Sequence, residues 1–261
     1  MGVDAQKVAS GVFSFDGIAF PTSGVEPDPL QPSTSWTDLG QDYESLHFMK
    51  HGDLCVVVGS VMLKAEALPA LQSTGKWPPH IATVPQECWP RNGRLAFTVG
   101  SNSEPHRVEV YADGRLVWIS GRINSSFISL SGISYPASQG AALTLSRGAQ
   151  SFGFEFRPVQ WSRSGEFCAV SGYIRISKLE TALARLPVAC RPNRRLSFHV
   201  NADTFSWRID VSSRRTILDP FSIEYNCLVR RCCRMEPFAS SKAWRLRVKY
   251  PLMASFLLYV L

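Results

Sequence analysis

The chain has 261 residues, of which 45% are hydrophobic and 19% are charged, and this balance excludes an intrinsically disordered protein. The length is sufficient for two domains of ordinary size. Strand-forming residues are plentiful, and 18 glycines and 17 prolines interrupt the sequence at short intervals, which is typical of short strands joined by tight turns. The best helical candidate, residues 178–185, is only about two turns long. We therefore predict an all-β protein.

The formal net charge of +7 is divided unevenly along the chain. Residues 1–140 hold 9 Lys and Arg against 13 Asp and Glu, a net charge of −4, whereas residues 141–261 hold 19 against 8, a net charge of +11. A basic half is compatible with binding to nucleic acid, to an anionic membrane or to an acidic protein. A basic surface that is simply solvated is the alternative interpretation.

A degenerate internal repeat organises the chain. Residues 81–99, IATVPQECWPRNGRLAFTV, are echoed by residues 183–200, LARLPVACRPNRRLSFHV. The alignment places Cys88 on Cys190, at an offset of 102 residues. Self-similarity of this kind is the sequence signature of repeated structural modules.

The repeat extends to both sides of this segment. Residues 53–61, DLCVVVGSV, match residues 166–174, EFCAVSGYI, at an offset of 113. Both segments have the apolar content of a strand buried on two faces, with an internal glycine that indicates a bulge or a close backbone approach. Residues 107–110, RVEV, match residues 208–211, RIDV, at an offset of 101. We expect the matched strands to hold equivalent positions in two similar modules.

These matches divide the chain into parts. Residues 12–23 match residues 127–138, so the chain is predicted to begin with the closing strand of a truncated preceding repeat. Residues 26–35 contain three prolines and are predicted to be an extended linker. The predicted parts are the truncated repeat (1–25), the Pro-rich linker (26–35), a first β-sandwich repeat, copy one (36–138), a degenerate second β-sandwich repeat, copy two (139–228), and a basic and apolar C-terminal tail (229–261).

Local signals predict the hairpin of copy one and the end of copy two. Asp113 and Gly114 favour a tight two-residue turn, because both residue types adopt positive φ angles. Copy two lacks this pair, so its hairpin is predicted to be looser, and residues 223–225 are predicted to close its sheet. The final eleven residues, PLMASFLLYVL, are too short to span a bilayer. An extra strand, a non-native tail and an interfacial anchor are the interpretations of this segment.

Seven cysteines, an odd number, argue against a complete disulfide framework. The repeat aligns Cys55 with Cys168 and Cys88 with Cys190, so one interpretation is a bridge repeated within each copy. Buried free thiols are the other interpretation. We favour free thiols because the N-terminal sequence, MGVDAQKVAS, lacks the apolar segment of a secretory signal peptide. The same observation predicts a cytoplasmic protein or a fragment of a longer chain.

The order of motifs in copy one resembles the head domains of phage tail fibres and similar C1q/TNF-like jelly-roll modules. These motifs are GDLCVVVGSV, IATVPQECWP, RLAFTV, RVEVYADGRLVW and FISLSGISY, and the likeness covers most of residues 45–135 and, more weakly, residues 150–226. The resemblance implies two tandem antiparallel jelly-roll-like β-sandwiches, often assembled as a trimer, whose role is recognition and not catalysis. It carries over no binding residues, because these vary within the family. Copy two departs from the pattern by losing the Asp-Gly turn and the closing Gly-Ile.

The sequence contains no HExxH, GxSxG, P-loop or GxGxxG motif. His47 and His51 are four residues apart, but in a segment predicted as strand and turn, where they do not share a helical face. Cys232 and Cys233, with Cys227 upstream, lack the spacing of a zinc knuckle. We therefore predict a protein that is not an enzyme and that needs no cofactor or metal.

We expect recognition or assembly through loops at the ends of the sandwiches, with a protein or a glycan as the ligand. Binding of nucleic acid or an anionic surface by the basic half is the alternative, and an enzyme of unknown class is a second alternative. Ordinary solvated turn residues are the plainer interpretation of each candidate contact. The candidate contact residues are Trp77, Trp89, Arg91, Arg94, Arg191, Arg194 and Arg195.

Overall fold

The protein consists mainly of antiparallel β-strands, and the described part of the chain has no helix of seven residues or more, so the all-β prediction is confirmed. The computed structural model describes residues 27–67, 69, 80–101, 105–121, 127–177, 182–202 and 205–212, together with the backbone of strands at 218–219, 235–237, 244–246 and 253–260. The predicted strand at residues 12–23 lies outside these ranges.

The described strands that precede residue 139 form three antiparallel sheets. They are β1 (Asp28–Pro29), β2 (Trp36–Asp38), β3 (His47–His51), β4 (Leu54–Val58), β5 (Ser60–Leu63), β6 (His80–Thr83), β7 (Leu95–Val99), β8 (His106–Val110), β9 (Arg115–Ser120), β10 (Ile128–Ser129) and β11 (Ile133–Pro136). The sheet orders are β1-β3-β4-β11, β10-β5-β2 and β6-β9-β8-β7. One hydrophobic cluster takes side chains from all three sheets, among them Trp36, Val57 and Leu116. Copy one is therefore sandwich-like.

The strands of copy two and of the C-terminal tail form one long sheet and two strand pairs. They are β12 (Ala141–Ala142), β13 (Thr144–Leu145), β14 (Ala149–Ser151), β15 (Gln160–Ser164), β16 (Phe167–Ile176), β17 (Ala184–Arg185), β18 (Leu196–Ala202), β19 (Phe205–Val211), β20 (Leu218–Asp219), β21 (Met235–Pro237), β22 (Trp244–Leu246) and β23 (Met253–Val260). The long sheet has the order β12-β15-β16-β23-β18-β19-β20, with β14 also paired to β16, while β13 pairs with β17 and β21 with β22. A second hydrophobic cluster, which includes Val170 and Val211, is confined to copy two.

The internal repeat is visible in the strand registers. In the β3–β4 hairpin Lys50 lies opposite Cys55, and the β15–β16 hairpin has the same register 113 residues later. Val110 lies opposite Leu95 between β7 and β8, and the pairing of β18 with β19 repeats this register 101 residues later. The predicted equivalence of the matched strands is therefore confirmed in their hydrogen-bonded pairing.

Both copies contain a disulfide at the same place. Cys55 bonds to Cys88 and Cys168 bonds to Cys190, with Cα–Cα distances of 5.7 and 5.6 Å. Each bridge ties a core strand to a short 3-10 turn, Gln86–Cys88 or Val188–Cys190. The favoured interpretation of free thiols is therefore wrong for these four cysteines. That interpretation relied on the absence of an export signal. The repeated spacing of the cysteines instead brings the same strand and turn positions together in each copy.

The predicted linker belongs to the sheet of copy one. Its backbone is extended as predicted, but Pro29 in β1 lies opposite His47, and the Ser33 amide donates a hydrogen bond to the Ile81 carbonyl at 2.7 Å. Leu30 is buried in the hydrophobic cluster of copy one. The prolines therefore mark an edge strand, a position that tolerates the missing amide donors.

The end of the chain completes the sheet of copy two. Strand β23 lies between β16 and β18, and it is antiparallel to β16 as β11 is antiparallel to β4. Of the three interpretations of the C-terminal segment, the structure contains the extra strand. The predicted closing strand at residues 223–225 lies outside the described residues.

The hairpin of copy one has a longer loop than predicted. Gly114 has a φ of +82°, whereas Asp113 does not adopt a positive φ. The Tyr111 amide donates to the Arg115 carbonyl and the Gly114 amide donates back to the Tyr111 carbonyl, each at 2.9 Å. This is a three-residue loop, in which a type I turn is followed by one left-handed residue.

We predict that each disulfide stabilises the fold by about 3–4 kcal/mol, because each closes a long loop and so restricts the unfolded chain. Cys55→Ser with Cys88→Ser, and separately Cys168→Ser with Cys190→Ser, should each lower the urea midpoint of the full chain. Added reductant should lower the midpoint of the parent protein and have less effect on either variant. Unfolding curves that are identical with and without reductant would contradict the assignment of both bridges.

Candidate functional site

The structure brings some of the seven candidate residues together and separates others. Arg91 and Arg94 lie in a loop of copy one that contacts copy two, whereas Arg194 and Arg195 lie in the corresponding exposed loop of copy two. Arg191 donates from Nε to the Leu186 carbonyl at 3.4 Å, Trp89 donates from its indole Nε1 to the Val84 carbonyl at 3.0 Å, and Trp77 lies outside the described residues.

Copy two docks on copy one through main-chain pairing. We name residues 91–94 of copy one the receiving loop and residues 153–157 of copy two the docking turn. The Arg94 amide donates to the Glu155 carbonyl at 2.8 Å, and the Arg157 amide donates to the Arg94 carbonyl at 3.0 Å. The two segments thus form a small parallel β-bridge across the boundary between the copies.

The docking turn owes its shape to three successive residues in the left-handed region. The φ angles are +78° at Gly153, +48° at Phe154 and +67° at Glu155. Residues other than glycine adopt this backbone conformation at a cost in free energy, so it persists only where the surrounding contacts fix it. Here the turn leaves the Glu155 carbonyl and the Arg157 amide available to the receiving loop.

Arg157 clamps the two copies together. Its side chain is completely buried. The guanidinium donates from Nε to the Arg91 carbonyl at 2.9 Å, from Nη1 to the Pro136 carbonyl at 2.8 Å and from Nη2 to the Ala137 carbonyl at 3.4 Å. These carbonyls belong to copy one, so copy one supplies the hydrogen-bond acceptors that the buried charge needs when the copies are in contact. Burial raises the pKa of the neighbouring Tyr135 phenol, and the positive charge of Arg157 opposes this rise.

A charged triad in copy one lies beside the receiving loop. The carboxylate of Glu109 forms an ion pair with Arg107 on the same strand. It forms a second ion pair with Arg94, whose Nη1 lies 3.4 Å from Glu109 Oε2. Aromatic residues of copy two cover it: the Arg94 guanidinium lies 4.1 Å from the centroid of the Phe156 ring, which stacks on Tyr173 at 4.5 Å. The face of β8 that carries Arg107 and Glu109 is therefore an interface between the copies.

Copy two has the same triad, formed by Arg195, Asp210 and Arg208, each 101 residues after its counterpart. Arg195 Nη1 lies 3.8 Å from Asp210 Oδ2, and Arg208 Nε donates to Asp210 Oδ1 at 2.9 Å. The arginines differ in exposure. Arg195 and Arg208 are 57% and 44% exposed, whereas Arg94 and Arg107 are 22% and 7% exposed. The arginines of the triad are therefore covered in copy one and open to solvent in copy two, where Asp210 itself is buried.

The docking turn also has a counterpart, residues 40–44 of copy one, at an offset of 113. Gly40, Gln41 and Asp42 have φ angles of +68°, +55° and +69°, close to those of the docking turn. The Tyr43 amide donates to the Gly40 carbonyl at 3.1 Å, as the Phe156 amide does to Gly153 at 3.0 Å. The counterpart turn is exposed along its whole length.

Several residues of this interface and of the copy-two triad were not among the sequence candidates. For the triads a signal was present, because the matched segments RVEV and RIDV both keep an arginine two residues before an acid. For the docking turn there was no such signal, because its sequence, GFEFR, differs almost entirely from GQDYE in the counterpart turn. The missed residues are Arg107, Glu109, Phe156, Arg157, Tyr173, Arg208 and Asp210.

Comparison with protein-family models, with curated proteins and with solved structures gives no match to this chain. Within the described residues, no group of three or more His, Cys, Asp or Glu is placed to hold a metal ion. No helix in the part of the chain that was searched has the length and apolar character needed to cross a membrane.

We predict that Gly93→Ala loosens the contact between the copies. An added Cβ would lie 2.6 Å from the Glu155 carbonyl oxygen and 2.7 Å from the Arg157 amide nitrogen. Gly132→Ala is the matched control, since Gly132 has a similar positive φ with open space around it. Gly93→Ala should cost about 1 kcal/mol or more beyond the control in urea unfolding. Equal losses would show that the close approach is unimportant.

We predict that Arg157→Met destabilises the protein by about 3 kcal/mol or more, because three carbonyls of copy one each lose a charged donor. Limited proteolysis at residues 138–148 should also accelerate as the copies separate. Arg163→Met is the control, because Arg163 is 42% exposed and carries the same charge. Similar unfolding midpoints for the two variants would contradict the clamp.

Proposed function

We propose that this protein is a recognition or assembly module without catalytic activity, built from two tandem jelly-roll-like β-sandwiches that bind their ligand through end loops. The observation that carries the proposal is the contact between the copies. The end loop of copy one, with its neighbouring triad, binds a protein segment through main-chain and guanidinium contacts. The same elements occur a second time, exposed, in copy two.

The proposed ligand-binding residues of copy two are Arg191, Arg194 and Arg195, with Arg208 beside them. Guanidinium groups bind carboxylates through paired hydrogen bonds and stack on aromatic rings. An acidic protein segment or an acidic glycan therefore suits this face. The candidates of copy one contribute differently in this proposal, because Arg91 and Arg94 are engaged by copy two.

Assembly of several chains belongs to the same proposal. The resemblance to C1q/TNF-like modules suggests a trimer. The exposed counterpart turn of copy one and the exposed arginines of copy two suggest contacts between molecules. Binding of nucleic acid is the competing proposal, and its signature is a steep fall of affinity with salt, because phosphate contacts release counterions.

We predict that the full-length chain binds acidic peptides or acidic glycans on an array, and that Arg194→Gln with Arg195→Gln lowers the affinity about tenfold or more. Arg147→Gln with Arg163→Gln is the control, because it removes the same charge from exposed positions of copy two outside the loop. The control should bind like the parent protein.

The array also separates the competing proposals. Equal losses in the loop variant and its control would show that net charge, and not the loop, determines binding. Preferential binding to nucleic acid with a steep salt dependence would replace recognition of acidic ligands by the nucleic-acid proposal.

A further inference from the structure

We propose that copy two carries a docking face for a second molecule of this chain, which binds it through the counterpart turn, residues 40–44. The docking face consists of the loop residues Arg194 and Arg195 and the triad formed by Arg195, Asp210 and Arg208. This inference rests on the proposed function and deepens it by naming the ligand. Molecules joined in this way are arranged head to tail.

The argument starts from an interface that the chain already makes with itself. Copy one provides the receiving loop and a charged triad, and copy two provides the docking turn. Each half of this interface exists a second time in the chain. The two arginines of the second triad are exposed in copy two, and the counterpart turn is exposed in copy one. One molecule therefore presents both halves of a further contact of the same kind.

The aromatic contact is the first element that the two interfaces share. Phe156 of the docking turn receives the Arg94 guanidinium on its ring at 4.1 Å. Tyr43 is its counterpart at an offset of 113, and it is 53% exposed. Arg195 is the counterpart of Arg94 at an offset of 101. We assign Arg195 to the ring of Tyr43 in a neighbouring molecule, a cation–π contact between two exposed groups.

Charge is the second element. The counterpart turn contains Asp42 and Glu44, and both side chains are exposed. The docking face presents Arg194 and Arg195, so opposite charges meet when the turn approaches it. The halves of the chain carry the same asymmetry, with net charges of −4 and +11. Because each molecule joins two different surfaces, the contact is heterologous and extends into a chain of molecules or closes into a ring.

Two differences from the internal interface determine the character of the new contact. Glu44 stands where the docking turn has Arg157, so the clamp on buried carbonyls is replaced by ion pairs. The loop of copy two is also one residue shorter and lacks a counterpart of Gly93, where the backbones approach most closely in the internal interface. The contact between molecules therefore depends on exposed charges, and we expect added salt to weaken it.

Sedimentation velocity of the full chain tests the proposal. At low salt the mass should rise with concentration from 29.0 kDa toward at least twice that value, and moderate salt should reduce it. Arg194→Gln with Arg195→Gln removes the docking face, and Tyr43→Ala with Glu44→Gln removes the turn. Each double variant alone should remain a monomer. Arg147→Gln with Arg163→Gln, and Phe167→Ala, should associate like the parent protein, since they alter exposed arginines and an exposed ring elsewhere.

A mixing experiment then determines the polarity of the contact. In an equimolar mixture the two double variants have one intact turn and one intact docking face between them, so they should form dimers that do not grow further. A parent protein that stays monomeric at all concentrations overturns the inference, and the proposed function survives if that monomer still binds acidic ligands on the array. Association that persists in both double variants, as a trimer or otherwise, also overturns it.

Discussion

The arrangement of the two copies depends on the buried guanidinium of Arg157. A buried charge is costly unless polar groups replace its hydration, and here the replacing groups are carbonyls of Arg91, Pro136 and Ala137. All three carbonyls belong to copy one, so they replace the hydration of Arg157 only when copy two is docked on a folded copy one. The Phe156 stack and the close approach at Gly93 reinforce the same position. Folding of copy one and docking of copy two are therefore coupled.

The charged triads show that the same arrangement of two arginines and one acid has different surroundings in the two copies. In copy one, Glu109 and its arginines are covered by aromatic side chains, which strengthens the electrostatic attraction by excluding water. In copy two, Asp210 keeps two arginine partners, but those arginines extend into solvent. The pairing of β7 with β8 and of β18 with β19 has the same register, so the difference lies in the neighbouring segment that packs on the face.

The disulfides occur at the same place in both copies, whereas the strand that pairs with the core strand comes from different parts of the chain. Cys55–Cys88 and Cys168–Cys190 fix the 3-10 turns from which the receiving loop and its counterpart begin. Strand β23, from the end of the chain, takes the place beside β16 that β11 takes beside β4. Copy two therefore draws on residues far along the chain, whereas the described strands of copy one all lie before residue 139.

The sequence by itself determined the β class, the internal repeat and the equivalence of matched strands, because the apolar pattern of the strands and the spacing of the cysteines are local signals that survive in both copies. It allowed two interpretations of the cysteines, and the favoured one, free thiols, was wrong. Only the tertiary structure decided that the face of β8 with Glu109 is an interface, that the predicted linker is an edge strand and that Arg157 joins the copies. The reason is physical: each of these outcomes depends on which backbone carbonyls and rings meet across a boundary. The order of residues along the chain does not by itself indicate these contacts.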